Sequence, residues 1–142
     1  MIHIPISRSN RGSALRSHLF AIFFVACLFV IGRVSATDEA GTKYLQEKSK
    51  EAGVVTLPSG LRYKVLEKGG GAFHPTVSSP CLCHYAGTLI DGTEFDSSYG
   101  RGEPTTFAPN QVIKGWTEAM QFMVEGDKLE LYIPSDLAYG DQ

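Results

Sequence analysis

Apolar and polar positions alternate through Leu61-Arg62-Tyr63-Lys64-Val65-Leu66, the pattern of a half-buried strand that a Pro58-Ser59-Gly60 turn introduces and Gly69-Gly70-Gly71 ends. A second alternation puts Cys81, Cys83 and Tyr85 on one face, with Leu82 and His84 on the other. Asp91-Gly92 then marks a tight hairpin turn, and Glu94-Phe95-Asp96 resumes an extended chain. The polar, glycine-bearing Ser97–Gly102 segment is expected to interrupt that strand as a bulge or flap before Thr105–Phe107. From Val112 to Met123 the period changes. Trp116, Ala119, Met120 and Met123 fall at i, i+3, i+4 and i+7, one stripe of a short helix. Gly126-Asp127 leads into Leu129, Leu131 and Ile133, which alternate with Glu130 and Tyr132, so a strand with one wet face is expected. Pro134 ends it, and Leu137-Ala138-Tyr139-Gly140 opens a loop. Several short strands around one internal helix make an antiparallel α+β domain.

The start of the chain reads differently. Arg8, Arg11 and Arg16 precede an unbroken apolar stretch of 13 residues, Leu19–Ile31, and Val34-Ser35-Ala36 places small or apolar side chains where a leader peptidase cuts. Thirteen residues fall short of the roughly 20 that span a bilayer, so residues 1–36 are expected to be a cleaved signal peptide without a stable membrane anchor. The predicted destination is the secretory route: an organelle lumen, a periplasm or the exterior. Residues 37–55 form a lead-in, with Thr37 or Asp38 capping a helix over about Glu39–Glu51, and residues 56–142 form the main domain. Its face is largely polar, with Tyr44 and Leu45 its main apolar groups, so it is too weak to drive a dimer and a monomer is expected.

Charge and cysteine content narrow the chemistry. The 142-residue chain has 13 basic and 15 acidic side chains; without the four arginines of residues 1–36 the body carries a formal charge of −6. A mildly acidic body without a basic stripe argues against nucleic acid. Cys81 and Cys83 would share a strand face, but alternate Cα atoms lie near the upper limit for a disulfide, so a bridge would be strained and buried free thiols are expected. Zinc spacing, a G-x-S-x-G elbow and a dinucleotide fingerprint are all absent, and His74 and His84 have no acid at a suggestive spacing. No metal or cofactor is implied.

What remains is an aromatic set on separate elements: Tyr85, Phe95, Phe107, Trp116 and Tyr139. Large aromatics can simply fill a small core. Around them, however, stand His84-Tyr-Ala-Gly-Thr-Leu89, Asp91-Gly-Thr-Glu-Phe-Asp-Ser-Ser98, Gln111-Val-Ile-Lys-Gly-Trp116 and Ile133-Pro-Ser-Asp-Leu-Ala-Tyr-Gly140. Together these resemble the FKBP family, prolyl isomerases that bind macrolides such as tacrolimus. Thr56-Leu-Pro-Ser-Gly-Leu-Arg-Tyr63 also resembles the lead-in of the macrophage-infectivity-potentiator branch.

The resemblance implies a half-rolled antiparallel sheet wrapped around one short helix. Trp116 would floor a proline pocket, Tyr85, Phe95 and Phe107 would wall it, and Val112 and Ile113 would form a rim with a backbone N–H for the ligand. Asp96 would stand beside the pocket as a buried carboxylate with Arg101 as its ionic partner on the flap, in a structural or a direct electrostatic role. Tyr139 would offer a hydroxyl to the substrate carbonyl. Implied partners are proline-containing polypeptides and macrolides, and the implied activity is cis/trans isomerisation during folding of secretory-route proteins. Alternatives are a binding module without useful turnover and an inactive fragment. Thr105 stands where many members have an aromatic side chain. The family's sheet also has a central final strand that this chain is expected to lack, which would leave two strand edges unpaired.

Overall fold

The computed structural model describes residues 2–6 and 37–140. Its strands are β1 (Ile2–Ile6), β2 (Val54–Thr56), β3 (Arg62–Glu67), β4 (Cys81–Cys83), β5 (Tyr85–Leu89), β6 (Glu94–Ser97), β7 (Thr105–Phe107) and β8 (Lys128–Tyr132). The helices are α1 (Glu39–Lys48), α2 (Ser98–Arg101) and α3 (Lys114–Met120), with 3₁₀ turns at Pro109–Gln111 and Ser135–Leu137. One sheet has the order β2-β3-β8-β1-β5-β6, and β4 pairs with β7 in a second ribbon. The α+β class and the short internal helix agree with the sequence pattern.

Local chemistry explains the main elements. Asp38 caps α1 by accepting the Gly41 N–H at 2.7 Å, which satisfies one of the donors a helix start leaves open. The helix stops at Lys48, earlier than the sequence suggests. There the Ser49 hydroxyl bonds back to the Leu45 carbonyl (2.7 Å) and accepts from Arg62 Nε (2.9 Å), tying the helix end to β3. The Asp91-Gly92 hairpin forms as expected, with Gly92 at φ 87° and Leu89 N–H donating to the Thr93 carbonyl.

The core gathers Leu61, Tyr85, Trp116, Ala119, Leu129, Leu131 and Ile133 between the sheet and α3. Contact between α3 and the end of β8 is close at Gly115, where a Cβ would lie 2.7 Å from Ile133 Cγ2. A side chain there would push the helix, and Trp116 with it, off the sheet. Tyr132 departs from expectation. It is fully buried, because α1 covers that face of β8 and sets Tyr44 edge-on to the Tyr132 ring at 6.2 Å. Lys48 Nζ lies 5.6 and 5.3 Å from the two ring centroids.

The centre of the sheet also differs. β5 and β8 stand one strand apart, and β1 occupies the gap, parallel to both, with Ile2 opposite Tyr85 and Leu129. The sequence pattern assigns this segment to the targeting region; in the structure it pairs edges that were expected to stand open, satisfying their backbone groups. Ladder pairing starts at Tyr85. Alongside Cys81–Cys83 a cleft of about 780 Å³ persists, lined by Phe73, Leu82, Met120 and Met123 among others. The basic residues, apolar stretch and cleavage site of residues 7–36 lie outside the described residues. Among the described residues no helix is long and apolar enough to cross a membrane.

Candidate functional site

Three aromatic rings from three elements meet edge to face. Tyr85 of β5 lies 5.1 Å from Trp116 of α3 and 5.6 Å from Phe107 of β7, and Phe107 lies 5.6 Å from Trp116. Such tilted contacts set the positive rim of one ring against the negative face of another. Alternation along β5 turns Gly87 to the same face as Tyr85, and the Phe95 ring lies across Gly87, where a Cβ would come within 2.5 Å of Phe95 Cζ. Phe95 therefore extends the aromatic wall while staying 42% exposed.

Val112 and Ile113 lie just before α3, half-buried against the same core. The Thr117 hydroxyl lies 2.5 Å from the Pro109 carbonyl and 3.2 Å from that of Ile113, fixing this segment. Among the described residues, no hydrogen bond engages the Ile113 N–H.

A polar ring closes one side of the aromatic cluster. Tyr85 Oη donates to Asp96 Oδ2 (2.6 Å), Arg101 Nη1 donates to Asp96 Oδ1 (2.6 Å), and Arg101 Nη2 donates to Tyr85 Oη (2.7 Å) and Thr105 Oγ1 (3.3 Å). The Arg101 guanidinium also sits 5.4 Å from the Tyr85 ring centroid. The Tyr85 hydroxyl, and after it Arg101, hold the Asp96 carboxyl below its ordinary pKa. Burial, with the hydrogen bond to Asp96 next, raises the Tyr85 phenol, which stays a donor at neutral pH. The expectation of a buried carboxylate needs correcting: Arg101 and Asp96 side chains are 45% and 44% exposed. The ion pair forms on the flap surface, where its two ends stay hydrated.

The flap itself is a helical turn rather than a bulge. Ser97 caps α2 by accepting the Tyr99 N–H (3.2 Å), and Gly102 ends it at φ 78°, a left-handed conformation that glycine adopts without strain. That single turn aims Arg101 back over Tyr85. Sequence reasoning missed Ser98, which is fully buried. Its hydroxyl accepts the Tyr85 N–H (2.8 Å) and lies 3.0 Å from His84 Nδ1, while the His84 ring stacks on Tyr99 at 4.6 Å. The capping Ser97, five residues ahead of the turn-ending Gly102, was the available signal.

The structure thus brings Tyr85, Asp96, Arg101, Phe107 and Trp116 together, with Phe95, Val112 and Ile113 on their margins. Tyr139 stands apart: it is 56% exposed and makes no ring contact among the described residues. Cys81 and Cys83 are free, and burial raises both thiols, so neither is a ready nucleophile. They are half-buried rather than fully buried. Among the described residues no group of three His, Cys, Asp or Glu side chains is placed to hold a metal ion.

Comparison with known proteins bears on this geometry. Residues 71–142 match the model for FKBP-type peptidyl-prolyl cis-trans isomerase, and residues 33–65 match the model for the domain amino terminal to it. The chain is 43% identical over 145 residues to the macrophage infectivity potentiator of Trypanosoma cruzi, covering 94% of this chain and 74% of that protein. It is 49% identical over 100 residues to outer membrane protein MIP of Legionella longbeachae, covering 70% of this chain and 42% of that one. The crystal structure of FkpA from Escherichia coli superposes with a TM-score of 0.68 at 47% identity, over 70% of this chain and 46% of that one. The chain therefore spans about three quarters of the trypanosomal relative and less than half of the two bacterial ones. With the aromatic cluster and its polar ring on the fold of these relatives, the chain belongs to the FKBP-type peptidyl-prolyl cis-trans isomerase family.

Proposed function

We propose that this chain accelerates cis/trans isomerisation of X-Pro peptide bonds in polypeptides of the secretory route, the observation carrying this reading being the Tyr85–Phe107–Trp116 cluster in the core against which Val112 and Ile113 pack. Such bonds interconvert in tens to hundreds of seconds, across a barrier of roughly 18–20 kcal/mol set by C–N resonance. No covalent bond breaks, so neither nucleophile nor metal is needed. A planar amide is strongly dipolar and well hydrated; a twisted one has lost much of that resonance. An apolar, water-poor hollow disfavours the planar form more than the twisted one, which is the differential binding that catalysis requires.

In this reading Trp116 floors the pocket, and Tyr85, Phe95 and Phe107 select the proline ring. Val112 and Ile113 form the rim, with the Ile113 N–H meeting the substrate carbonyl. Asp96 and Arg101 fix the Tyr85 hydroxyl and the flap. Tyr139 supplies a second hydroxyl at the carbonyl once substrate draws its loop inward. Macrolides would compete for the same hollow, and the protein would act as a monomer; removal of residues 1–36 would also withdraw β1 from between β5 and β8. The relative named an outer membrane protein supports a destination outside the cytoplasm.

A protease-coupled proline-peptide assay on the chain tests the proposal: a rate above the uncatalysed one is expected, and the uncatalysed rate alone would refute it. Tyr139→Phe should lower kcat/KM roughly five- to tenfold, the worth of one hydrogen bond. Because Tyr139 is exposed, a second reading is a binding module that holds proline segments without turnover. Macrolide binding without isomerisation would decide for it.

A further inference from the structure

Ser135 is 1% exposed and sits four residues before Tyr139, at the start of the loop that carries it. Its N–H donates to Thr37 Oγ1 at 3.0 Å, and its own hydroxyl lies 3.1 Å from the same oxygen. Thr37 is itself only 8% exposed. These two residues are 98 positions apart, and they join the start of the lead-in to the end of the domain. The Ser135 carbonyl then accepts from Ala138 N–H (3.0 Å) and Gly140 N–H (2.7 Å), the residues on either side of Tyr139. One serine therefore receives the lead-in through its amide and hydroxyl and grips both flanks of Tyr139 through its carbonyl. The helix that follows Thr37 is docked independently, by buried Leu45 and by Tyr44 on Tyr132, so Thr37 is held from behind.

We infer that Thr37 is a positioning residue for the isomerase site: through Ser135 it sets the conformation of the Pro134–Gly140 loop and hence the reach of the Tyr139 hydroxyl. The lead-in is then a working part of the catalytic domain rather than a spacer. Ser135 cannot hold the loop as firmly alone, since a buried N–H without an acceptor favours rotation of the 3₁₀ turn toward water. Thr37 also lies immediately after the Val34-Ser35-Ala36 cleavage motif. Processing one residue further along would remove the clamp while leaving the Asp38 helix cap in place.

This inference rests on the proposed role of Tyr139, and a double-mutant cycle in the full chain separates the two. Thr37→Val keeps shape and removes the hydroxyl; it should lower kcat/KM by roughly three- to tenfold with the protein still folded. Thr37→Ser should restore most of the rate. In a Tyr139→Phe background, Thr37→Val should cause little further loss, because the hydroxyl it positions is gone. Hydrogen exchange should speed up more at the Gly140 amide than at the β8 amides in Thr37→Val; an equal acceleration of both would overturn the inference. So would an undiminished rate in Thr37→Val, or an equal loss in both backgrounds. If Tyr139→Phe alone keeps the full rate, the role proposed for Tyr139 fails first.

Discussion

On the flap side of the aromatic cluster, Arg101, Asp96 and Tyr85 close a charged ring whose ion pair is almost half exposed. On the side of the Tyr139 loop, Thr37 and Ser135 close a neutral contact that solvent barely reaches. One binds the Tyr85 hydroxyl directly and the other reaches the amides beside Tyr139 through the Ser135 carbonyl, and their physics is opposite. The charged ring has short bonds and a hydrated exterior, so water replaces whatever is lost when it opens. In the neutral contact, a donor that loses its partner stays buried. Short hydrogen bonds are therefore a poor guide to how much each network contributes. What each would leave behind is the better one.

Trp116 is part of the aromatic cluster itself, so its removal should have the largest effect. Trp116→Ala takes out a ring that is 6% exposed and in contact with both Tyr85 and Phe107. Chemical denaturation should show a loss of about 3–5 kcal/mol, and isomerisation should fall with it. A loss below about 1 kcal/mol would mean that the rings do not share one core.

Next comes the neutral contact. Thr37→Val should destabilise the fold by about 1–3 kcal/mol, because the Ser135 N–H and hydroxyl lose their shared partner in a buried setting. A midpoint unchanged in denaturant would show that water reaches Ser135 after all, and would erase the contrast with the flap.

Much of this was legible in the chain because it is local. Alternation gave the strands around Tyr63, Tyr85 and Leu131, Asp91-Gly92 gave the hairpin, and the Trp116–Ala119–Met120 stripe gave the helix. Tyr85, Phe95 and Trp116 lie in or beside those elements, but their grouping into one site was implied by the family resemblance and not by local pattern. Features that depend on distant neighbours were not legible. Nothing near Tyr132 says that α1 will cover it, and no spacing rule joins Thr37 to Ser135 across 98 residues. The strand at Ile2–Ile6 answers a gap between β5 and β8 that exists only once both are folded. The flap is an intermediate case. Ser97 and Gly102 are ordinary start and stop signals, but at one turn's spacing they are easily read as a polar loop.

The smallest effect on stability is expected at Asp96, and its pH dependence sharpens the comparison most. Its carboxyl is held below the ordinary value, first by the Tyr85 hydroxyl and then by Arg101. A carboxyl depressed on folding stabilises the native state above its unfolded pKa, about 3.9, and loses that contribution as pH falls through the folded value. Stability from this ring should therefore be flat from neutrality to about pH 4 and decline only below it. Asp96→Asn should flatten that acid limb while leaving the neutral-pH midpoint almost unchanged, since the pair is half exposed. Raising salt to about 1 M, where the screening length is roughly 3 Å, should shrink the difference between the two proteins further. Thr37→Val should show neither pH nor salt dependence of its own, having no charge to titrate. A salt-insensitive Asp96→Asn penalty as large as that of Thr37→Val would mean that the charged ring is sealed from water, and the distinction between the two networks would collapse.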